Sequence, residues 1–162
     1  MKRESFAADE KNDYPFSFLT YEKNKNLTMS KSVIWITGAS SGIGEAAAKK
    51  FSKEGYQVIL SARKVQELDR VKSTCSFPSE AKVLPLDLVE IDTFGEKVKT
   101  AIALFGKVDI LLHNGGISQR SLIKETGLEV DRKLMEVNFF GTVALTKQYC
   151  RISYPVKPAI LP

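Results

Sequence analysis

Thr37-Gly38-Ala39-Ser40-Ser41-Gly42-Ile43-Gly44 is the segment whose residue types and spacing most directly imply chemistry. Three glycines there leave the main chain bare, so that backbone N–H groups can close on a phosphate oxygen. The run follows the apolar stretch Val33-Ile34-Trp35-Ile36-Thr37 and opens an amphipathic segment with Ala46, Ala47, Ala48 and Phe51 available to pack. A strand that turns into a helix at that point offers unpaired N–H donors and a positive partial charge to a pyrophosphate. The spacing is T-G-x-x-x-G-x-G rather than G-x-G-x-x-G. Taken alone, the glycines would equally serve a tight turn that packs helix against strand, and it is the strand–turn–helix setting that favours a nucleotide. Other reactive residue types are sparse. His113 is the single histidine, and Cys75 and Cys150 have neither zinc nor redox spacing, so no metal site is expected.

The elements needed to hold such a turn are legible on either side of it. From residue 33 onward, short apolar runs alternate with longer amphipathic ones, the pattern of βαβ units feeding a parallel sheet. The first helix is expected over Ile43–Glu54, with Gly55 at C′. Gln57–Ser61, Lys82–Leu86 and Val108–Leu112 are expected as further strands, and Val65–Ser73, Ile91–Phe105 and Leu128–Gln148 as helices. The predicted fold is α/β, a doubly wound parallel sheet of order 3-2-1-4. Residues 1–30 are polar and are expected to be a disordered tail without a secretory signal, with Met29 as a natural start. Residues 31–150 form the nucleotide-binding domain. Residues 151–162 contain three prolines and are expected to be irregular, unable to continue a helix.

Composition narrows the function classes. The 162 residues include 43% hydrophobic and 27% charged side chains, enough apolar surface for a core, and no apolar run approaches a membrane span. The net charge of +5 comes from 24 Lys and Arg mixed among 19 Asp and Glu, which argues for a solvated basic surface rather than a nucleic-acid site. Cysteine usage fits a reducing, cytoplasmic setting.

The ordered motifs over residues 32–148 resemble the short-chain dehydrogenase/reductases. The glycine turn matches the family's cofactor motif, and Leu86-Asp87-Leu88 its Asp after the third strand. His113-Asn114-Gly115-Gly116 aligns with its N-N-A-G motif, and Asn138 in Met135–Gly141 with its helical catalytic Asn. Gly115–Ser118 and Leu145–Lys147 resemble the branch of member-7 type dehydrogenase/reductases. The resemblance implies a Rossmann-like fold and hydride transfer between a dinucleotide and a carbonyl/alcohol pair. It places Thr37, Gly38, Ser40, Ser41, Gly42, Ile43 and Gly44 at the pyrophosphate and adjoining ribose, and Asp87 and Leu88 at the adenine. Asn114, Gly115 and Gly116 fall at the nicotinamide-side ribose, and Asn138 at a water that extends the family's proton relay. Homo-oligomers are common in the family. Bland roles stand beside these: Asp87 as a helix N-cap before Val89 and Glu90, Asn138 as a polar helix position, and His113 as a residue tying neighbouring strands rather than an acid–base catalyst.

Cofactor choice is encoded at the end of the second strand. An acid there would accept hydrogen bonds from the ribose hydroxyls and repel a 2′-phosphate, whereas this chain has Ser61-Ala62-Arg63-Lys64. Arg63 offers a planar fork of donors suited to a phosphate, with Lys64 adding charge, so NADP(H) is expected over NAD(H). Before the second glycine, where many NADP-using relatives carry a basic residue, stands Ser41.

The family's catalytic Ser and Tyr-x-x-x-Lys follow a fifth strand. Only residues 139–162 lie beyond Asn138, and they hold neither strand nor motif. Tyr154-Pro155-Val156-Lys157 is one residue short, with a proline after the tyrosine. The expectation is a cofactor-binding half cut short after the fourth strand and its helix. The alternatives are a non-catalytic dinucleotide-binding or regulatory module, and a non-functional fragment.

Overall fold

The computed structural model describes residues 30–154. The expectations for residues 1–29 and 155–162 lie outside those residues. Four parallel strands, β1 (Val33–Thr37), β2 (Gln57–Ser61), β3 (Ala81–Val83) and β4 (Ile110–Leu112), form one sheet of order β3-β2-β1-β4. This is the predicted 3-2-1-4 order. Five α-helices connect and cover them: α1 (Gly42–Lys53), α2 (Val65–Ser73), α3 (Phe94–Phe105), α4 (Leu128–Met135) and α5 (Thr142–Ser153).

Strand β1 is central because every one of its side chains is apolar or satisfied within the core. Val33 to Thr37 are all buried. Alternate residues feed two separate cores, as the two-residue period of a strand requires. Val33 and Trp35 pack with Phe94, Val98, Leu145 and Tyr149 on the face covered by α3 and α5. Ile34 and Ile36 pack with Ala48, Leu68 and Val71 on the face covered by α1 and α2. The indole Nε1 of Trp35 donates to Ser61 Oγ at 2.8 Å, and that hydroxyl donates to the Leu84 carbonyl at 2.6 Å, so the one polar atom of the largest core side chain is paired.

Several boundaries differ from those the periodicity predicts. Helix α1 begins at Gly42 rather than Ile43 and ends one residue earlier, with Gly55 at φ +86° just beyond it. Strand β3 stops at Val83, although Leu84 N and Leu86 N still bond to the carbonyls of Leu60 and Ala62. Pro85 interrupts the ladder there because it has no N–H to give. Strand β4 starts at Ile110, and Asp109 instead reaches across to the Val33 N–H with its carboxylate at 2.7 Å. The helix expected from Ile91 opens with a 3-10 turn over Ile91–Thr93 before α3.

The long helix expected over Leu128–Gln148 is in fact α4 and α5 joined by a π turn over Glu136–Gly141. At the far end α5 continues through Ser153, three residues into the segment expected to be irregular. A proline restricts the residue immediately before it, and only Tyr154, at φ −131°, leaves the helical region ahead of Pro155. No described helix is long and apolar enough to cross a membrane. Among the described residues β4 pairs only with β1, and its outer edge carries no strand.

Candidate functional site

At the carboxyl end of the sheet, the β1–α1 turn, the segment after β2, the segment after β3 and the segment after β4 surround a cleft of about 840 Å³. Open parallel sheets place ligands there, where crossovers on opposite faces part. The walls include Thr37, Gly38, Ser40, Ser41, Arg63, Asp87, Leu88, Asn114, Gly115 and Gly116. Ten of the fourteen residues singled out from the sequence therefore face one space. Gly42, Ile43, Gly44 and Asn138 are not in its walls.

Thr37 is the hub of the cleft floor. It is 1% exposed, and its Oγ1 accepts the N–H groups of Asn114 and Gly115, each at 3.1 Å. Asn114 Nδ2 donates in turn to the Gly38 carbonyl at 3.0 Å. These bonds stitch the turn after β1 to the turn after β4, and they need the two backbones close together. Gly38 sits at φ +65°, and a Cβ on it would come 2.7 Å from Gly115 Cα. Gly44 is normal in φ, but a Cβ there would run into the Gly38 carbonyl and Asn114 Nδ2. Two of the three glycines in the motif are thus required by close approach as well as by any phosphate.

The residues fit a dinucleotide. Helix α1 makes its first hydrogen bond at Glu45 N to Ser41 O, 3.3 Å, and its N-cap Ser41 makes no side-chain cap bond. The N–H groups of Gly42, Ile43 and Gly44 therefore precede the helical ladder and are free to receive an anion. Arg63 and Lys64 stand exposed at the cleft, and Arg63 has no hydrogen-bond or ion-pair partner among the described residues.

The other site residues hold the frame. Asp87 does not cap a helix: its Oδ1 accepts the Val89 N–H at 3.2 Å and its carbonyl the Glu90 N–H at 3.2 Å, forming a local turn ahead of the 3-10 segment. Asn138 lies within the π turn and grips one residue at both ends. Its Oδ1 accepts from Ile117 N and its Nδ2 donates to Ile117 O, both at 2.8 Å. His113 does not tie strands together. Its Nε2 meets Thr146 Oγ1 on α5 at 2.9 Å, its Nδ1 is buried without a partner, and burial pushes its pKa below the usual 6.5.

Sequence reasoning missed Glu67, Val89, Lys133 and Val137, which also line the cleft, and Arg70 behind it. Arg70 Nη1 and Nη2 donate to the two carboxylate oxygens of Glu45 at 3.0 and 2.8 Å, Nε to Glu67 at 2.8 Å, and Nη2 to the Ser40 carbonyl at 3.2 Å. Hydrogen bonds from Arg70 and then from Lys49 hold the Glu45 carboxyl down at about 2. Glu67 and Arg70 lie three apart on a predicted helix, the one sequence signal for the pair.

A parallel 3-2-1-4 sheet with a glycine turn over its carboxyl end defines the Rossmann-like class of dinucleotide-binding proteins. Residues 32–153 match the short chain dehydrogenase family. The chain belongs to that family, whose members are oxidoreductases that bind NAD(P). It is 51% identical over 120 residues to human dehydrogenase/reductase SDR family member 7, covering 71% of this chain and 35% of that protein. A Drosophila melanogaster dehydrogenase/reductase SDR family protein 7-like is 48% identical over 122 residues, covering 71% and 37%. The chain thus spans little more than a third of the length of these relatives. Among solved structures, an actinorhodin polyketide ketoreductase with NADPH superposes with a TM-score of 0.70 at 28% identity, over 75% of this chain and 47% of that one. A Streptomyces avermitilis short-chain dehydrogenase gives 0.70 at 31%, over 78% and 46%.

Proposed function

We propose that this chain is the NADP(H)-binding portion of a cytoplasmic dehydrogenase/reductase acting on a carbonyl/alcohol pair. The observation that carries the cofactor choice is Arg63 with Lys64, exposed and unpaired among the described residues on the cleft wall at the end of β2. A planar guanidinium recognises a 2′-phosphate bidentately, and no carboxylate stands at that position to favour a 2′-hydroxyl. When bound, the dinucleotide supplies or accepts hydride at its nicotinamide. The chain's own residues bind and orient it. The α1 N-terminus with Thr37, Gly38, Ser40, Ser41, Gly42, Ile43 and Gly44 receives the pyrophosphate, Asp87 and Leu88 border the adenine, and Asn114, Gly115 and Gly116 the nicotinamide-side ribose. Asn138 is the one member of the family's catalytic set in this sequence, so the 162 residues by themselves are expected to bind dinucleotide without turnover. The matched solved structure described as an NADPH complex supports the same choice.

Titrating the purified chain with NADPH and NADH, followed by nicotinamide fluorescence, tests this. NADPH is expected to bind about tenfold more tightly, the worth of roughly 1.4 kcal/mol in charge-assisted contacts. Equal or tighter NADH binding refutes the NADP(H) assignment, and binding of neither refutes the cofactor role.

A further inference from the structure

The cleft's cationic end is flanked by an acid that the preference for NADP(H) must contend with. Glu67 lines the same cleft, lies within a turn of Arg63 and Lys64, and is about half exposed. Its geometry leaves two partners open to it: the neighbouring cations of the cleft, or Arg70 one turn further along α2. It takes Arg70. All three guanidinium nitrogens of Arg70 are engaged, by Glu67, by both oxygens of Glu45 on α1, and by the Ser40 carbonyl in the glycine turn.

We infer that Arg70 is a specificity-determining positioning residue, which draws the Glu67 carboxylate away from Arg63 and Lys64 and so leaves both cations free for the 2′-phosphate of NADP(H). The inference rests on the cofactor preference proposed above. Without Arg70, Glu67 becomes a competitor. Its carboxylate pairs with a cation that the phosphate would otherwise meet, and its charge repels the phosphate through a cleft only partly screened by water. NADH carries no group there and is largely indifferent. The contact to Ser40 is separable, because an anchor on the glycine turn acts on a pyrophosphate that both cofactors share.

The experiment is a titration of the full 162-residue chain and its variants with NADPH and with NADH, comparing the ratio of the two affinities. Arg70→Gln is expected to lower the NADPH-over-NADH ratio about fivefold, within the range of exposed charge pairs. Adding Glu67→Gln to it is expected to restore the ratio to within about twofold, because the competing charge is then gone. Arg70→Lys keeps a charge at this exposed position but cannot bridge both carboxylates, and is expected to give an intermediate ratio even if Arg70→Gln does not fold. Equal losses for both cofactors in Arg70→Gln, no recovery in the double variant, or a parental ratio in Arg70→Lys would each overturn the inference. Arg63→Ala separates the two levels. If it leaves the ratio unchanged, the preference assigned to Arg63 is wrong. If it collapses the ratio while Arg70→Gln does not, only the role of Arg70 falls.

Discussion

At Thr37 a single hydroxyl serves two backbone donors from the far side of the cleft, those of Asn114 and Gly115. It is 1% exposed, so water cannot replace it in the folded state. Thr37→Val keeps the shape and removes the acceptor, and is expected to cost about 2 kcal/mol, measured by urea unfolding, together with weaker dinucleotide binding. Thr37→Ser keeps the oxygen and should retain most of both. The threonine before the first glycine was visible in the motif, but its partners 77 and 78 residues away were not. The same holds for Asp87, whose position implied either a helix cap or an adenine contact. Its carboxylate closes a turn of its own because the residues after Val89 delay the helix by one 3-10 segment.

Helix α4, the π turn and α5 show how one local irregularity aims two residues. A π turn widens the backbone by one residue per turn and rotates the side chains beyond it. Asn138 is thereby brought onto Ile117, and Gly141 against the Leu88 carbonyl so closely that no Cβ would fit. Asn138 thus fastens the strand end that carries Gly115 and Gly116. Asn138→Ala removes both bonds and, at an exposed site, is expected to cost about 1 kcal/mol in urea unfolding. Asn138→Asp keeps the acceptor for Ile117 N but not the donor, and should fall between. The apolar periodicity of Leu128–Gln148 fits an uninterrupted helix, since Val137 and Leu145 are buried as it requires. One extra residue per turn shifts that pattern too little to be seen from the sequence.

The stability of the whole fold should carry the signature of His113. Its imidazole is pushed below 6.5 by burial, and Nδ1 has no partner that would welcome a proton. The unfolded chain therefore binds a proton more readily than the folded one as pH falls through 6.5. Stability is complete above that value and declines below it, until the depressed folded-state pKa is passed. Melting between pH 7.5 and 5.5 is expected to show a falling midpoint in the parent and a flatter one in His113→Gln, where Glu45 is still fully ionised. A flat parent profile would remove His113 from the account. At the same scale, the two cores on either side of β1 join all four strands to helices that come from distant parts of the chain, and the outer edge of β4 is left without a strand.

Alternating apolar runs and amphipathic segments determined the number, type and order of the four strands. The glycine spacing after the first of them determined where a nucleotide would sit. Both are local signals, set by the periods of strand and helix and by the absence of a Cβ. Tertiary structure alone decided which side chains act on one another across the cleft. Thr37 reaches Asn114 and Gly115, Asn138 grips Ile117, His113 turns to Thr146, and Arg70 draws Glu45 and Glu67 behind the glycine turn. Hydrogen bonds and ion pairs over such separations depend on a few ångströms of strand register and helix docking. Those ångströms are set by how two cores pack around Trp35 and its neighbours, which no local pattern records.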